Sequence, residues 1–151
     1  MASAPKPIPD GYHTITPYLT VSDVQRLLDF AKVAFDATVT EVHKRPDGGI
    51  GHAEIRIGDS VVMMGQATDD GKARPGTLYV YVPDVDRVYQ QALKAGGKSV
   101  RPLENQYYGD RSGGVEDPVG NFWWVATHVE DVSPRRARTT LEKVPNAVDE
   151  Q

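Results

Sequence analysis

The chain contains an internal repeat, and this repeat limits the folds open to it more than any other feature. The stretch TPYLTVSDVQRLLDFAKVAF, which begins at Thr16, aligns with TLYVYVPDVDRVYQQALKAG, which begins 61 residues later at Thr77. Both copies carry a Tyr two residues after the Thr, a Val-x-Asp-Val segment and an Arg at matching positions. Self-similarity of this kind predicts two copies of one structural module.

Each copy begins with a strand and continues into a helix. Aliphatic and hydroxylated residues alternate at the start of both copies, which predicts a strand with two different faces. Asp23 and Asp84 follow these strands, and their side chains can cap the next helices. Three further strands are predicted after each helix, at roughly 38–44, 50–57 and 60–65 and at roughly 98–104, 111–116 and 121–127. The order βαβββ therefore occurs twice, within 12–66 and 76–128.

This arrangement resembles the vicinal oxygen chelate superfamily of glyoxalase I, bleomycin-resistance and extradiol dioxygenase proteins. The likeness rests on VSDV and VPDV before the helices, DPVGN before the last strand, and the stretches GHAEIRIGDS, YGDRSG and ATHVEDVSP. It implies an α+β fold in which two modules form an open, cup-shaped mixed sheet, with helices outside and a ligand cavity inside. We predict one such domain over 12–135, an N-terminal extension at 1–11, and a short helix and flexible tail at 136–151.

The resemblance also identifies positions where a metal would bind. In the metal-chelating members, His, Gln or Glu ligands lie on the first and last strands of each module. These positions fall here on Thr16, Val62, Thr77 and Trp124. None is a usual ligand for a divalent ion, which needs deprotonated oxygens or imidazoles, and the chain has no cysteine. We predict no metal ligands and no cofactor; a bound divalent metal is the less favoured alternative.

The strand alternation predicts a cavity lined by aromatic side chains. If the two threonines face inward, several residues on the same strands do so as well, and all are candidates for ligand binding: Thr16, Tyr18, Val62, Met64, Thr77, Tyr79, Tyr81 and Trp124. Trp123 would then pack beneath a helix. Tyr and Trp bury large apolar areas while keeping one polar tip, which suits a flat or amphipathic ligand. The alternative is that these rings fill the core of a small domain.

A polar triplet lies on the predicted third strand. His52, Glu54 and Arg56 alternate with aliphatic residues, so their side chains should point in one direction. His52 and Glu54 could act as catalytic acid–base groups, with Arg56 as an anchor for a ligand. The alternative is a salt-bridged rim in contact with solvent or a dimer partner.

The stretch QYYGDR, residues 106–111, predicts a loop over the mouth of the cavity. Tyr107 or Tyr108 could stack on a ligand, and Arg111 is a further ligand-binding candidate. We expect Asp110 and Arg111 to pair and hold the loop. A purely structural latch is the alternative.

Two functions are compatible with these features. The first is a metal-independent protein that binds a small aromatic or amphipathic molecule, as antibiotic-resistance members of the family do. The second is a glyoxalase-like lyase or isomerase, either metal-free through His52 and Glu54 or metal-dependent through other residues. A net charge of −4 with scattered basic residues argues against nucleic acid, and no apolar run is long enough to span a membrane. We therefore expect a cytoplasmic protein, and open sheet edges favour a homodimer.

Overall fold

Two modules of identical element order make up most of the chain. The computed structural model describes residues 4–68 and 71–143. The first module consists of β1 (Tyr18–Val21), α1 (Val24–Phe35), β2 (Thr38–Lys44), β3 (Ile50–Ile57) and β4 (Ser60–Gln66). The second consists of β5 (Thr77–Tyr81), α2 (Val85–Lys94), β6 (Lys98–Asn105), β7 (Asp110–Glu116) and β8 (Phe122–His128), and α3 (Pro134–Lys143) follows. The predicted α+β class with tandem βαβββ modules is confirmed.

Both module helices begin where the sequence places a capping aspartate. Asp23 Oδ1 accepts a hydrogen bond from the Arg26 backbone N at 3.1 Å, and Asp84 Oδ1 accepts one from the Arg87 backbone N at 3.2 Å. These side chains satisfy amide groups that have no partner inside the helix. The predicted helix after β8 begins at Pro134. The predicted tail lies, from residue 144 onward, outside the described residues.

The strands form two four-stranded mixed sheets. The first sheet has the order β1-β4-β3-β2, and the second has the order β5-β8-β7-β6. In each sheet the outer first strand runs parallel to the last strand of its module, and the other pairs are antiparallel. Tyr18 lies beside Met63 in the first sheet, and Tyr79 lies beside Trp124 in the second. These two pairs are therefore equivalent positions of the repeat.

Both sheets turn one face towards a shared hydrophobic core that contains α1 and α2. The core draws on both modules, and Phe30 and Phe35 of α1 lie 6.5 and 4.8 Å from Trp123 of β8 between ring centroids. Trp123 is only 1% exposed, so burial of its indole contributes on the order of 4–6 kcal/mol before entropic costs. The other face of each sheet lies on the outside of the chain. We call these the open faces.

The register corrects two predicted cavity residues. Val62 and Met64 pair with Ile55 and Ala53 of β3, and all four are buried in the core on the helix side. The prediction that they share a face with Tyr18 is wrong, although Val62 does contribute to the lining of a cleft between the modules. The prediction counted four residues from the turn glycine in both modules, but Met63, which pairs with Tyr18, follows Gly58 by five residues, whereas Trp124, which pairs with Tyr79, follows Gly120 by four. Met63, one residue along, occupies the open face.

No helix in the described part of the chain is long and apolar enough to cross a membrane.

Candidate functional site

Four aromatic side chains cluster on the open face of the second sheet. Tyr79 and Tyr81 follow one another on alternate positions of β5, with ring centroids 5.2 Å apart. The Trp124 ring lies 6.4 Å from Tyr79 and nearly parallel to it, and Phe122 meets Trp124 edge-on at 5.2 Å. Tyr79 and Tyr81 are 41% and 63% exposed. The prediction that the two adjacent tryptophans face opposite sides of the sheet is confirmed, because Trp123 is buried in the core.

A buried carboxylate lies within this aromatic cluster. Asp110 is 2% exposed, and its Oδ2 accepts hydrogen bonds from the hydroxyl groups of Tyr79 at 2.6 Å and Tyr81 at 2.8 Å. Its Oδ1 lies 2.8 Å from Nδ1 of His128. Both tyrosines reach from β5 across β8 to β7, and the residue of β8 beside Tyr81 is the small, buried Ala126. A larger side chain at that position would obstruct this path.

His128 lies between two carboxylates. Its Nε2 is 2.8 Å from Asp131 Oδ1, on the segment that leads to α3. Hydrogen bonds first to Asp110 and then to Asp131 raise the pKa of His128. Burial alone would raise the pKa of the Asp110 carboxyl, but the hydrogen bonds from Tyr79, His128 and Tyr81 outweigh burial and lower it. We therefore assign Asp110 as ionised at neutral pH.

Ser112 adds an unused polar group to the same face. It follows Asp110 by two residues on β7, and so shares its face of the strand. Its side chain is fully buried, and its Oγ has no hydrogen-bond partner within the described residues. Buried polar groups are normally paired, so an unpaired hydroxyl beside the carboxylate marks this face as an unusual site.

The open face of the first sheet carries a second carboxylate cluster. Glu54 is 5% exposed and accepts a hydrogen bond from the Tyr12 hydroxyl, and its Oε2 lies 3.0 Å from Nε2 of His52. Burial acts to raise the pKa of Glu54, but the bonds from Tyr12 and His52 outweigh it and lower the pKa. The Tyr18 ring lies over Gly65, where a side chain would collide with it, and 5.7 Å from the His52 ring. Here the predicted pair of His52 and Glu54 is brought together.

The N-terminal segment covers part of this first open face. Besides Tyr12, its Gly11 lies next to the guanidinium of Arg56, so close that an added Cβ would meet the Nη2 atom at 2.8 Å. Arg56 is half-buried. His43 on β2 lies 5.6 Å from His52 between ring centroids and pairs with Glu41 at 2.9 Å. Polar side chains therefore dominate the first open face, whereas aromatic side chains dominate the second.

The remaining predicted residues are at the edges of these clusters. Thr16 precedes β1, and its Oγ1 donates to the His13 carbonyl at 3.2 Å. Thr77 begins β5 and is exposed. Tyr107 and Tyr108 lie in the β6–β7 turn, with ring centroids 5.1 Å apart in an edge-on arrangement.

The predicted pairing of Arg111 with Asp110 is wrong. Its guanidinium does not pair with Asp110 but binds Asp86 of α2, with Nε–Oδ2 and Nη2–Oδ1 distances of 3.1 and 2.9 Å, and Asn105 at 3.3 Å. Alternation on β7 explains this, because neighbouring residues point to opposite faces. Arg111 therefore lies on the helix side, and Asp110 lies on the open face.

Sequence reasoning missed Asp110, His128 and Phe122 on the second open face and Tyr12 beside the first. The same alternation could have placed Asp110 on the open face, had it been treated as part of β7 rather than of the preceding loop. His128 ends β8 on the face shared by Trp124. Nothing in the sequence indicated that two tyrosines on β5 would converge on a carboxylate from β7.

The positions that would bind a metal in catalytic relatives do not suit one. With the corrected register they are Thr16, Met63, Thr77 and Trp124. A thioether suits soft ions such as Cu(I), and an indole is not a ligand. Within residues 4–68 and 71–143, no three His, Cys, Asp or Glu side chains are grouped so that they could hold a metal ion.

A cleft of about 750 Å³ is lined by residues of both modules, and four of the predicted site residues contribute to it, namely Thr16, Val62, Tyr79 and Tyr81. It runs along β5 between the two modules, and its lining includes Ile15, Phe35, Ile57, Leu78 and Trp123. Leu78 and Trp123 belong to the helix side of the second sheet. The cleft therefore lies at the junction of the modules, and on β5 it borders both the helix side of the second sheet and the tyrosines of its open face.

Comparison with known proteins agrees with this fold. The profile of the Glyoxalase/Bleomycin resistance protein/Dioxygenase superfamily matches residues 11–125. The uncharacterized proteins Mb0911c of Mycobacterium bovis and Rv0887c of Mycobacterium tuberculosis are each 36% identical to this chain over 130 residues. The match covers 79% of this chain and 86% and 76% of theirs, respectively.

Two solved structures show the same fold. TioX from Micromonospora sp. ML1 has a TM-score of 0.66 at 24% identity, and the match covers 78% of this chain and 99% of TioX. A superfamily member from Sphaerobacter thermophilus has a TM-score of 0.60 at 18% identity, covering 76% of this chain and 96% of that protein. This chain belongs to the Glyoxalase/Bleomycin resistance protein/Dioxygenase superfamily.

Proposed function

We propose that this protein binds a small planar organic molecule on the open face of the second sheet, without a metal. The observation that carries the proposal is the cluster of Tyr79, Tyr81, Phe122 and Trp124 around the buried Asp110 carboxylate. Aromatic rings left partly exposed on one face offer apolar area to a ligand, and the phenol groups offer fixed hydrogen-bonding atoms.

A second copy of the chain completes the cavity in this proposal. Small-molecule sites usually bury about 70–90% of the ligand, and a single sheet face covers only one side of it. Both open faces lie on the outside of one chain, so a partner can place its first sheet opposite this second sheet. Light scattering should then give twice the 16.6 kDa chain mass at micromolar concentration. A mass near that of one chain would reject the homodimer.

The adjacent tryptophans provide a matched test of the binding face. Trp124→Phe should weaken binding of a stacked aromatic compound by about 0.5–1.5 kcal/mol, because the larger indole is removed from the open face. Trp123→Phe should lower stability and leave the affinity unchanged, because Trp123 is buried on the other side. Titration calorimetry with naphthalene derivatives measures both affinities. Affinity that responds to Trp123→Phe and not to Trp124→Phe would place the ligand elsewhere.

A second candidate function is metal-free glyoxalase-like catalysis on the first open face. The observation that favours it is the buried Glu54, which fixes the His52 ring through Nε2 and leaves the other ring nitrogen able to accept a proton. The assay is isomerisation of the hemithioacetal of methylglyoxal and a small thiol, in the presence of a chelator. His52→Gln should abolish turnover, whereas His43→Gln, on a more exposed neighbour, should not. Absence of turnover in the unmodified protein would reject this candidate.

A further inference from the structure

The aromatic cluster of the second open face surrounds a buried negative charge, the carboxylate of Asp110. Asp110 is almost fully buried and accepts two phenol hydrogen bonds on one carboxylate oxygen. His128 compensates part of the charge, but a second carboxylate, Asp131, also binds His128. Even when His128 is protonated, one positive group lies between two negative groups, and the cluster keeps a net negative charge.

The hydroxyl groups of Tyr79 and Tyr81 carry the effect of the Asp110 charge to a ligand, because they bind this carboxylate and the two tyrosines are partly exposed. Each hydroxyl of Tyr79 and Tyr81 uses its hydrogen to bind Asp110, so what it can still offer a ligand is an acceptor lone pair. A hydrogen bond to a carboxylate polarises the phenol and strengthens it as an acceptor. Two neighbouring acceptors of this kind favour a ligand that donates hydrogen bonds.

The rings themselves favour positive charge. The Tyr79 ring centroid lies 5.2 Å from that of Tyr81 and 6.4 Å from that of Trp124, and the tyrosines are partly exposed. A cation within about 6 Å of such ring centroids is attracted to their negative faces. This observation does not depend on the carboxylate, and it too favours a positively charged ligand.

We propose that the guest of the second open face is an aromatic compound with a cationic head group, a protonated amine or an amidinium. Its N–H groups donate to the hydroxyl oxygens of Tyr79 and Tyr81, and its charge lies against their rings. The inference rests on the proposed binding function and narrows the ligand to one chemical class. Compounds of the same size with a carboxylate in place of the amine should be rejected, because they bring a second negative charge next to a buried one.

Three probes of similar shape test this: naphthylmethylamine, naphthalenemethanol and naphthoate, titrated by calorimetry at neutral pH. We expect the amine to bind at least about tenfold more tightly than the alcohol, and the carboxylate to bind most weakly. Equal affinity of amine and alcohol would overturn the cationic class while leaving aromatic binding intact. Failure of all three probes to bind would overturn the binding function and this inference together.

Variants show whether Asp110 causes the preference. Asp110→Asn keeps the shape and removes the charge, so the amine-to-alcohol ratio should fall to about twofold or less. Tyr81→Phe removes one acceptor at a 63% exposed position and leaves Asp110 its bonds to Tyr79 and His128, and it should lower the ratio at least about threefold. Asp29→Asn makes the same charge change on the exposed side of α1 and should leave the ratio unchanged. A ratio that stays at its original value in Tyr81→Phe would refute the inference, even if Asp110→Asn fails to fold.

Discussion

Asp117 lies in the turn before β8, and here we expect a small change of side chain to destabilise the fold strongly. Its Oδ1 accepts hydrogen bonds from the backbone N of Val119 at 2.9 Å and of Asn121 at 3.0 Å. Its Oδ2 accepts from Asn121 Nδ2 at 2.9 Å and from Trp123 Nε1 at 2.7 Å. All of this lies inside the protein, since Asp117, Asn121 and Trp123 are 4%, 0% and 1% exposed.

The substitution Asp117→Asn isolates the effect of two hydrogen bonds. An asparagine has the same shape, and its oxygen can still accept from the two backbone amides. Its NH₂ group, however, would face the donors of Asn121 and Trp123, so two bonds are lost and buried donors remain unpaired. Each unpaired buried donor costs about 1–3 kcal/mol, so for the two donors we expect a total loss of about 2–6 kcal/mol. Against a typical stability of about 5–15 kcal/mol, this is a large fraction.

Urea unfolding followed by tryptophan fluorescence measures this loss. With a slope of roughly 1–3 kcal/mol per molar urea, a loss of about 3 kcal/mol lowers the midpoint by about 1–3 M. The control is Asp59→Asn in the corresponding turn of the first module. Asp59 is exposed and its side chain bonds only the neighbouring Ser60 hydroxyl within the described residues, so the effect should stay within about 0.5 kcal/mol. Equal midpoint shifts in the two variants would refute the reasoning.

Three further predictions concern the second module. NMR titration should place the His128 pKa above its usual 6.5, and Asp131→Asn should lower that pKa. Because Asp110 and Asp131 raise the pKa in the folded state, the stabilisation that they give through His128 is present below about pH 6.5. It is lost as the pH rises through the raised pKa. Gly109→Ala should cost about 1–3 kcal/mol in urea unfolding, since φ is +101° and the new Cβ would collide with the backbone after β8. Arg111→Met should cost at most about 1 kcal/mol and leave ligand affinity unchanged, because its ion pair is on the helix side and partly exposed; a tenfold loss of affinity would contradict that placement.

The sequence was sufficient to predict the module order and the helix starts, because both depend on local patterns. Alternation predicts a strand, and an aspartate before an amphipathic stretch predicts a helix start at Asp23 and Asp84. It was not sufficient to fix the facing of β4, because that depends on the number of residues in the turn. The first module has one more residue than the second between the turn glycine and the equivalent strand position, Met63 or Trp124. A shift of one residue reverses every side chain, which is why Val62 and Met64 were assigned to the wrong face.

The open-face clusters were harder to predict because they depend on side chains from three strands and the N-terminal segment. Tyr79, Tyr81 and Trp124 share a face by alternation, and this much could be predicted. The convergence of both phenols on Asp110 requires the strand order β5-β8-β7 and a small residue on β8. Strand order and close packing of distant residues are not encoded in a local pattern.

The two modules keep similar residues where they face the core, and apart from the shared tyrosine at Tyr18 and Tyr79 their open faces differ. At equivalent strand positions the core side keeps aliphatic or other apolar residues in both modules, namely Leu19 and Val80, Ile55 and Val115, and Met64 and Val125. The open faces instead carry Glu54 where the second module has Gly114, and Thr20 where the second module has Tyr81. Burial in a common core therefore explains the repeat, since either module must cover its helix with apolar side chains. The open faces are free of that requirement, and a cavity built from one of each would have a polar wall and an aromatic wall. A molecule with two identical ends would match only one of the two walls, whereas a flat molecule with one polar end would match both.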